Sequence, residues 1–146
     1  MIKEKFNLEG KVAVITGASK GIGKAIALGF AEFGAHVVVS SRSEEAVKNV
    51  ETEFKSKGFS VSSLKCHVGN KEDRINLIET TLKAHGRIDI LVNNAGTNPY
   101  FGPIHKMPAE AYKKTMDINL NSAIELSNLV YPIMKSQNSG NIIHIS

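Results

Sequence analysis

The sequence has one cysteine, Cys66, in 146 residues, so no internal disulfide can form, and no metal-ligand spacing follows it. A disulfide scaffold is excluded and no metal site is expected. A lone thiol suits a reducing compartment, the cytosol or an organelle matrix such as the peroxisome, and not secretion. No stretch approaches the roughly 20 consecutive apolar residues of a membrane span, and the run nearest the start, Val12 to Ile15, leads into glycines and not into a cleavage site. The 18 basic and 14 acidic residues, net charge +4, are spread along the chain without the basic run that tracks a nucleic-acid backbone. Neither membrane nor nucleic acid is therefore an expected partner. There is no solenoid-period repeat and no low-complexity tract. What remains, 42% hydrophobic and 22% charged residues, is the balance of a globular protein, and residues 1–146 read as one domain.

The chain is organised around Lys11 to Gly23, KVAVITGASKGIG. Val12 to Ile15 form the short apolar run of a strand buried on both faces of a parallel sheet. Gly17, Gly21 and Gly23 follow, and then Ile22, Ala25, Ile26, Gly29, Phe30 and Phe33 recur at helical spacing. A helix N-terminus leaves N–H groups unpaired and carries partial positive charge, and glycines let a backbone approach an anion closely, so strand, glycine loop and helix in this order bind phosphate. The spacing Gly-x-x-x-Gly-x-Gly is neither the commonest dinucleotide fingerprint nor a P-loop. TGASKGIG, Thr16 to Gly23, resembles the glycine loop of the classical short-chain dehydrogenases/reductases. The resemblance implies a Rossmann fold, a doubly wound α/β sheet with helices on both faces, of which the first five strands are present. It makes Gly17, Ser19, Lys20, Gly21, Ile22 and Gly23 candidate cofactor contacts.

HVVVS, His36 to Ser40, is a second strand, and the residues at its end decide between dinucleotides. An acidic side chain there accepts from a free ribose 2′-OH, whereas a basic one pairs with a 2′-phosphate. Here Ser41 and Arg42 follow, which favours NADP(H) over NAD(H), because a guanidinium holds phosphate through two parallel bonds. Lys20 offers a second cation. Ser43 caps the next helix, with Ala46, Val47, Val50 and Phe54 on its buried stripe. The third strand, Ser60 to Val68, ends on His67 and Val68; the family commonly carries an aspartate before the valine, contacting adenine, so His67 is a departure. Asn70 to Gly86 is a helix with Ile75, Ile78 and Leu82 on one face, and Asp89 to Asn93 is strand four.

Asn93-Asn94-Ala95-Gly96 follows at once and matches the family motif in which Asn94 ties strands together and Ala95 and Gly96 let the cofactor ribose pass. Tyr100 and Phe101, in the loop after strand four, are candidates to line the nicotinamide and substrate pocket. This stretch, with HVVVSSR and CHVGNKEDR, is most similar to the NADP-dependent carbonyl and retinol reductases of the dehydrogenase/reductase family member 4 group, although 3-oxoacyl carrier-protein reductases share most of it. Pro108 starts a helix, and Tyr112 to Gln137 reads as one long helix or two abutting ones, broken or bent near Asn119. By resemblance the Asn119 carbonyl holds a water beside the catalytic lysine, and the helix carrying Leu126, Leu129, Val130, Ile133 and Met134 pairs with its copy in a homodimer or homotetramer.

In the family a tyrosine, a lysine four residues later and a serine carry the chemistry beyond the fifth strand, here Asn141 to Ser146. The cation is essential, since a phenol of pKa near 10 is a poor base at neutral pH. By alignment the catalytic serine would follow Ser146, so only Asn119 of the tetrad is expected in this chain. Tyr131 and Lys135 satisfy Tyr-x-x-x-Lys as a string, but they precede strand five and are read as structural. The expectation is the cofactor-binding portion of an NADP(H)-dependent oxidoreductase acting on a carbonyl or alcohol. The alternative is an inactive dinucleotide-binding or interaction module ending at Ser146.

Overall fold

A computed structural model describes the backbone of residues 1–146 and every side chain except those of Ile2 and Lys3. Strand β1, Val12–Ile15, is its axis: all four residues are buried. Val12 and Val14 point into one apolar layer and Ala13 and Ile15 into the other, as the two-residue period of a strand requires. β1 pairs in parallel with β2 (His36–Ser41) on one side and β4 (Ile90–Asn93) on the other. β3 (Val61–Lys65) and β5 (Asn141–His144) complete the parallel order β3-β2-β1-β4-β5. After α1 (Ile2–Lys5), the helices are α2 (Gly21–Glu32), α3 (Glu44–Ser56), α4 (Lys71–His85), α5 (Ala109–Met116) and α6 (Ser122–Gln137). α2 and α3 bury Ala27, Ala31, Val47, Val50 and Phe54 on one face of the sheet, while α4 and α6 bury Leu77, Ile78, Leu126, Val130 and Met134 on the other. This is the doubly wound Rossmann arrangement. No described helix is long and apolar enough to cross a membrane.

Local chemistry sets the helix ends. Ser43 Oγ accepts from the Ala46 N–H at 3.2 Å and Asn70 Oδ1 from the Asp73 N–H at 2.9 Å, capping α3 and α4. Gly86, at φ 70°, closes α4 in the left-handed conformation.

Two helix faces differ from the periodicity reading. The fully buried residues of α2 are the small Gly23, Ala27 and Ala31, where the helix lies against β1 and β2; Ile26 and Phe30 pack against the same core at its margin, and Ile22 is 64% exposed. On α4 the buried face is Arg74, Leu77, Ile78 and Thr81. Thr81 is accommodated by donating to the Leu77 carbonyl at 2.7 Å. β3 is shorter than expected, since the chain leaves the sheet after Lys65 to bury Cys66 and Val68. Asp89 precedes β4 and is buried by its bonds to the Val12 N–H (2.9 Å) and the Arg87 guanidinium (2.6 and 2.8 Å). Pro108 is the residue before α5, not its first. The expected break near Asn119 is a π-helical turn, Asp117–Asn121, between α5 and α6.

Candidate functional site

At the carboxyl ends of β1 and β4 the glycine loop and the asparagine turn are locked together. Thr16 is 1% exposed, and its Oγ1 accepts from the N–H groups of Asn94 and Ala95, both at 3.0 Å, while donating to the Val92 carbonyl at 3.3 Å. Asn94 Nδ2 donates back to the carbonyls of Thr16 and Gly17, each at 3.1 Å. Gly23 makes this contact possible: a Cβ there would lie 2.5 Å from Asn94 Nδ2 and 2.5 Å from the Gly17 oxygen. Gly17 adopts φ 63°, and a Cβ on it would come within 2.9 Å of Ala95 Cα. Lys20 precedes α2 with extended backbone and no side-chain cap, and the first turn of α2 has no acidic residue. The helix N-terminus is thus left open to an anion.

In front of this lock lies a cleft of about 380 Å³, within the size range of small-molecule sites, about 300–1,000 Å³. Its walls are Gly17, Ser19, Lys20, Gly21 and Ile22 from the glycine loop, Ser41 and Arg42 from the end of β2, and Cys66, His67 and Val68 after β3. The turn after β4 adds Asn94, Ala95, Gly96 and Thr97, and Lys114 and Ile118 close the cleft from α5 and the π turn. Lys20, Arg42 and Lys114 line it without a single carboxylate. Among the described residues none of the three makes an ion pair. Such a cleft selects for a polyanion.

The sequence candidates converge here, except that Gly23 and Asn119 are not among the lining residues. Gly23 is buried behind the loop, against Asn94. Asn119 uses its whole carboxamide on Thr97: Oδ1 accepts from the Thr97 N–H at 2.7 Å, and Nδ2 donates to the Thr97 carbonyl at 2.9 Å. Ser41 Oγ is spent on the turn into α3, donating to the Ser43 carbonyl at 3.2 Å, which leaves Arg42 exposed beside it. His67 Nδ1 accepts from the Gly69 N–H at 3.1 Å, so the neutral ring carries its proton on Nε2. Cys66 is 1% exposed, and burial pushes its thiol up to about 12, with the Asp73 carboxylate adding to the effect. It is a neutral wall residue, not a nucleophile.

Other candidates lie elsewhere. Tyr100 folds back on its own loop, its hydroxyl donating to the Pro103 carbonyl at 3.1 Å, and Phe101 is 98% exposed. Neither lines the cleft. Tyr131 is an exposed residue of α6, and neither it nor Lys135 reaches the cleft. Thr16, Cys66, Thr97, Lys114 and Ile118 belong to the site and are not among the sequence candidates. Only Thr16 had a local signal, its place at the end of a buried strand. Among the described residues no cluster of three or more His, Cys, Asp or Glu could hold a metal ion.

The residues fit a dinucleotide: glycine cradles that a Cβ would fill, an uncapped helix N-terminus, and three free cations. A profile of the family described as short chain dehydrogenase matches residues 11–146. Dehydrogenase/reductase SDR family member 4 of Homo sapiens is 43% identical over 139 residues, 95% of this chain and 50% of that protein. The crystal structure of a metagenomic short-chain oxidoreductase in complex with NADP superposes with a TM-score of 0.90 at 38% identity, covering 95% of this chain and 63% of that one. The hydroxysteroid dehydrogenase of Escherichia coli superposes with a TM-score of 0.88 at 36% identity, covering 95% and 56%. The chain spans about half the length of the curated relatives it matches.

Proposed function

The chain belongs to the short-chain dehydrogenase family, and from that premise we propose that residues 1–146 are the NADP(H)-binding portion of an oxidoreductase that interconverts a carbonyl and an alcohol. The observation that carries this reading is the charge of the cleft: Lys20, Arg42 and Lys114 line it, and no carboxylate does. A free ribose would call for an acidic acceptor at the end of β2, where Arg42 stands. The similar structure that holds NADP supports the same choice.

When bound, the nicotinamide supplies or takes up the hydride. The residues of this chain hold and orient it. Backbone N–H groups at the start of α2 bind the pyrophosphate, with Gly17, Ser19 and Gly21 bringing the chain close. Arg42 and Lys20 grip the 2′-phosphate. His67 and Val68 face the adenine, with His67 offering a donor on Nε2 where an aspartate would offer an acceptor, and Ile22, Asn94, Ala95 and Gly96 border the ribose. Asn119 is the one member of the catalytic group within residues 1–146. Its side chain is fixed on Thr97, which leaves its backbone carbonyl to hold the relay water, and the serine, tyrosine and lysine belong to the remainder of the active site.

The similar structure named as a hydroxysteroid dehydrogenase supports an alcohol–carbonyl pair as the substrate class. Tyr112, Leu120, Ile124 and Tyr131, all exposed from α5 through the π turn to α6, support assembly into a homodimer or homotetramer. A reducing compartment, the cytosol or an organelle matrix, suits the free thiol of Cys66.

Titration with NADPH and with NADH, followed by nicotinamide fluorescence, tests the reading. NADPH is expected to bind the more tightly, and Arg42→Asp to lower the NADPH:NADH affinity ratio by about tenfold or more. Equal affinities in the wild type, or an unchanged ratio in the variant, overturn the NADP(H) assignment. Absence of binding to either nucleotide overturns the whole reading.

A further inference from the structure

The wall of the cleft formed by His67 and Val68 is held from below by the first turn of α4. Asp73 accepts from the His67 N–H at 2.8 Å, and Arg74 Nη1 donates to the Val68 carbonyl at 2.6 Å. Arg74 is only 7% exposed, on the same helix face as Leu77 and Ile78. Its other terminal nitrogen, Nη2, pairs with the carboxylate of Glu125 on α6. α6 continues through the π turn from α5, the segment that supplies Lys114 and Ile118 to the opposite wall. The two walls also meet where Ile118 Cδ1 covers Gly69, leaving only 2.6 Å for a Cβ.

A guanidinium is an expensive side chain for this place. Its Nε is buried without a hydrogen-bond partner, and an apolar residue beside Leu77 and Ile78 would serve packing better, since buried ion pairs seldom outperform well-packed hydrophobic groups. What an apolar residue cannot do is hold a carbonyl and a carboxylate at once in the fixed fork geometry of arginine. We propose that Arg74 is a positioning residue for the adenosine end of the cleft: by joining the Val68 carbonyl to the Glu125 carboxylate it sets the spacing of the two walls that clasp the nucleotide. The inference rests on the dinucleotide reading above. It adds a residue that lies behind the wall.

The test uses the protein as its gene encodes it, with Arg74→Ala, Arg74→Lys and Glu125→Ala compared with the wild type. Dissociation constants for NADPH and for 2′,5′-ADP are measured well below each melting temperature, with folding checked by circular dichroism. Arg74→Ala is expected to weaken both ligands by the same factor, about tenfold, because only the adenosine end is disturbed. Arg74→Lys, which keeps one donor, recovers part of that loss. Glu125→Ala, at a half-exposed position, loses about threefold, with a lower melting temperature because the Arg74 Nη2 is left unpaired. Folded Arg74→Lys and Glu125→Ala proteins with 2′,5′-ADP affinities within twofold of the wild type overturn the proposal even if Arg74→Ala fails to fold. A fall in melting temperature with unchanged affinity also overturns it, assigning Arg74 to packing alone. If the wild type binds neither ligand, the dinucleotide reading itself has failed and this inference falls with it.

Discussion

Both ends of the parallel sheet are hollow, and the two hollows are opposite in charge. At the carboxyl ends of the strands the cleft of about 380 Å³ presents Lys20, Arg42 and Lys114. At the amino ends a larger groove, about 620 Å³, runs between the approaches to β1, β2 and β3 and presents Glu9 and Glu32, together with Glu4 paired to the Met1 ammonium, with no lysine or arginine among its described lining residues. Size alone would choose the wrong end. A parallel sheet points the C-termini of its strands and the N-termini of its following helices the same way, so the backbone partial charge at that end is positive whatever the side chains are. The side chains of this protein reinforce that polarity at both ends. An anionic ligand is drawn to one hollow and repelled from the other.

The comparison predicts that substitutions at the carboxyl end damage binding and folding together, whereas those toward the amino end change stability alone. The largest effect is expected at Gly23→Ala, whose methyl group would strike Asn94 and the Gly17 carbonyl. NADPH affinity should fall by about a hundredfold or more, and stability by about 2–4 kcal/mol in denaturant titration. Its counterpart six residues on in the same helix, Gly29→Ala, meets no atom within 4 Å and should gain about 0.5–1 kcal/mol with affinity unchanged. Similar behaviour of the two variants would break the distinction.

Next comes Thr16→Val, which keeps the shape but leaves the Asn94 and Ala95 N–H groups without their acceptor. A loss of about 2–3 kcal/mol is expected, together with weaker NADPH binding, and Thr16→Ser should restore both. Full nucleotide affinity in the valine variant would mean that the lock between the loop and the asparagine turn is not needed for binding.

At the amino end, the His36 ring lies against His85, tilted by 39° with centroids 4.0 Å apart, and its nitrogens meet the hydroxyls of Ser60 (2.7 Å) and Ser62 (3.0 Å). Burial, with His85 and Lys55 adding and Glu51 opposing, lowers its pKa from 6.5 to about 4. The unfolded chain therefore takes up this proton first, and the stability present above pH 6.5 drains away as pH falls toward 4. Between pH 7 and pH 5 the wild type should lose about 1 kcal/mol more than His36→Asn, after allowance for solvent screening of a half-buried ring. NADPH affinity at pH 7 should agree within twofold. Equal pH slopes in thermal melts would remove His36 from the account.

The strands, the helices that begin at Ser43 and Asn70, and the glycine and asparagine turns are legible because their signals are local; the order of the strands in the sheet is a tertiary property. Gly17, Gly21 and Gly23 mark a tight turn between a strand and a helix, and Arg42 is a cation standing one residue past the end of β2. Where contacts are distant or residues small, the pattern was silent. Lys114 and Ile118 come to the cleft from α5 and the π turn, about a hundred positions after the glycine loop, through tertiary packing alone. On α2 the apolar spacing finds Ile26 and Phe30, which pack against the core, but not the fully buried Gly23, Ala27 and Ala31, whose small side chains carry little hydrophobic signal. Arg74 gives the converse case: an arginine on a helix reads as solvent-facing, and its partners, the Val68 carbonyl and Glu125, come from outside the helix. Tyr100 and Phe101 were drawn to the pocket by position in the fold, but their loop satisfies its own hydrogen bonds and turns away.

The π turn at Asp117–Asn121 makes the wall built from the continuous helix α5–α6 a matter of phase. Wide turns of this kind amount to an extra residue in the helical ladder, and each residue rotates a helix by about 100°. Deleting one residue there would restore a regular α-helix and improve its backbone bonding. It would also swing the Leu126, Val130 and Met134 stripe off the sheet and carry Glu125 away from Arg74. The wider, less regular turn is thus a fixed offset between two reading frames, one that aims α5 at the cleft and one that aims α6 at the core.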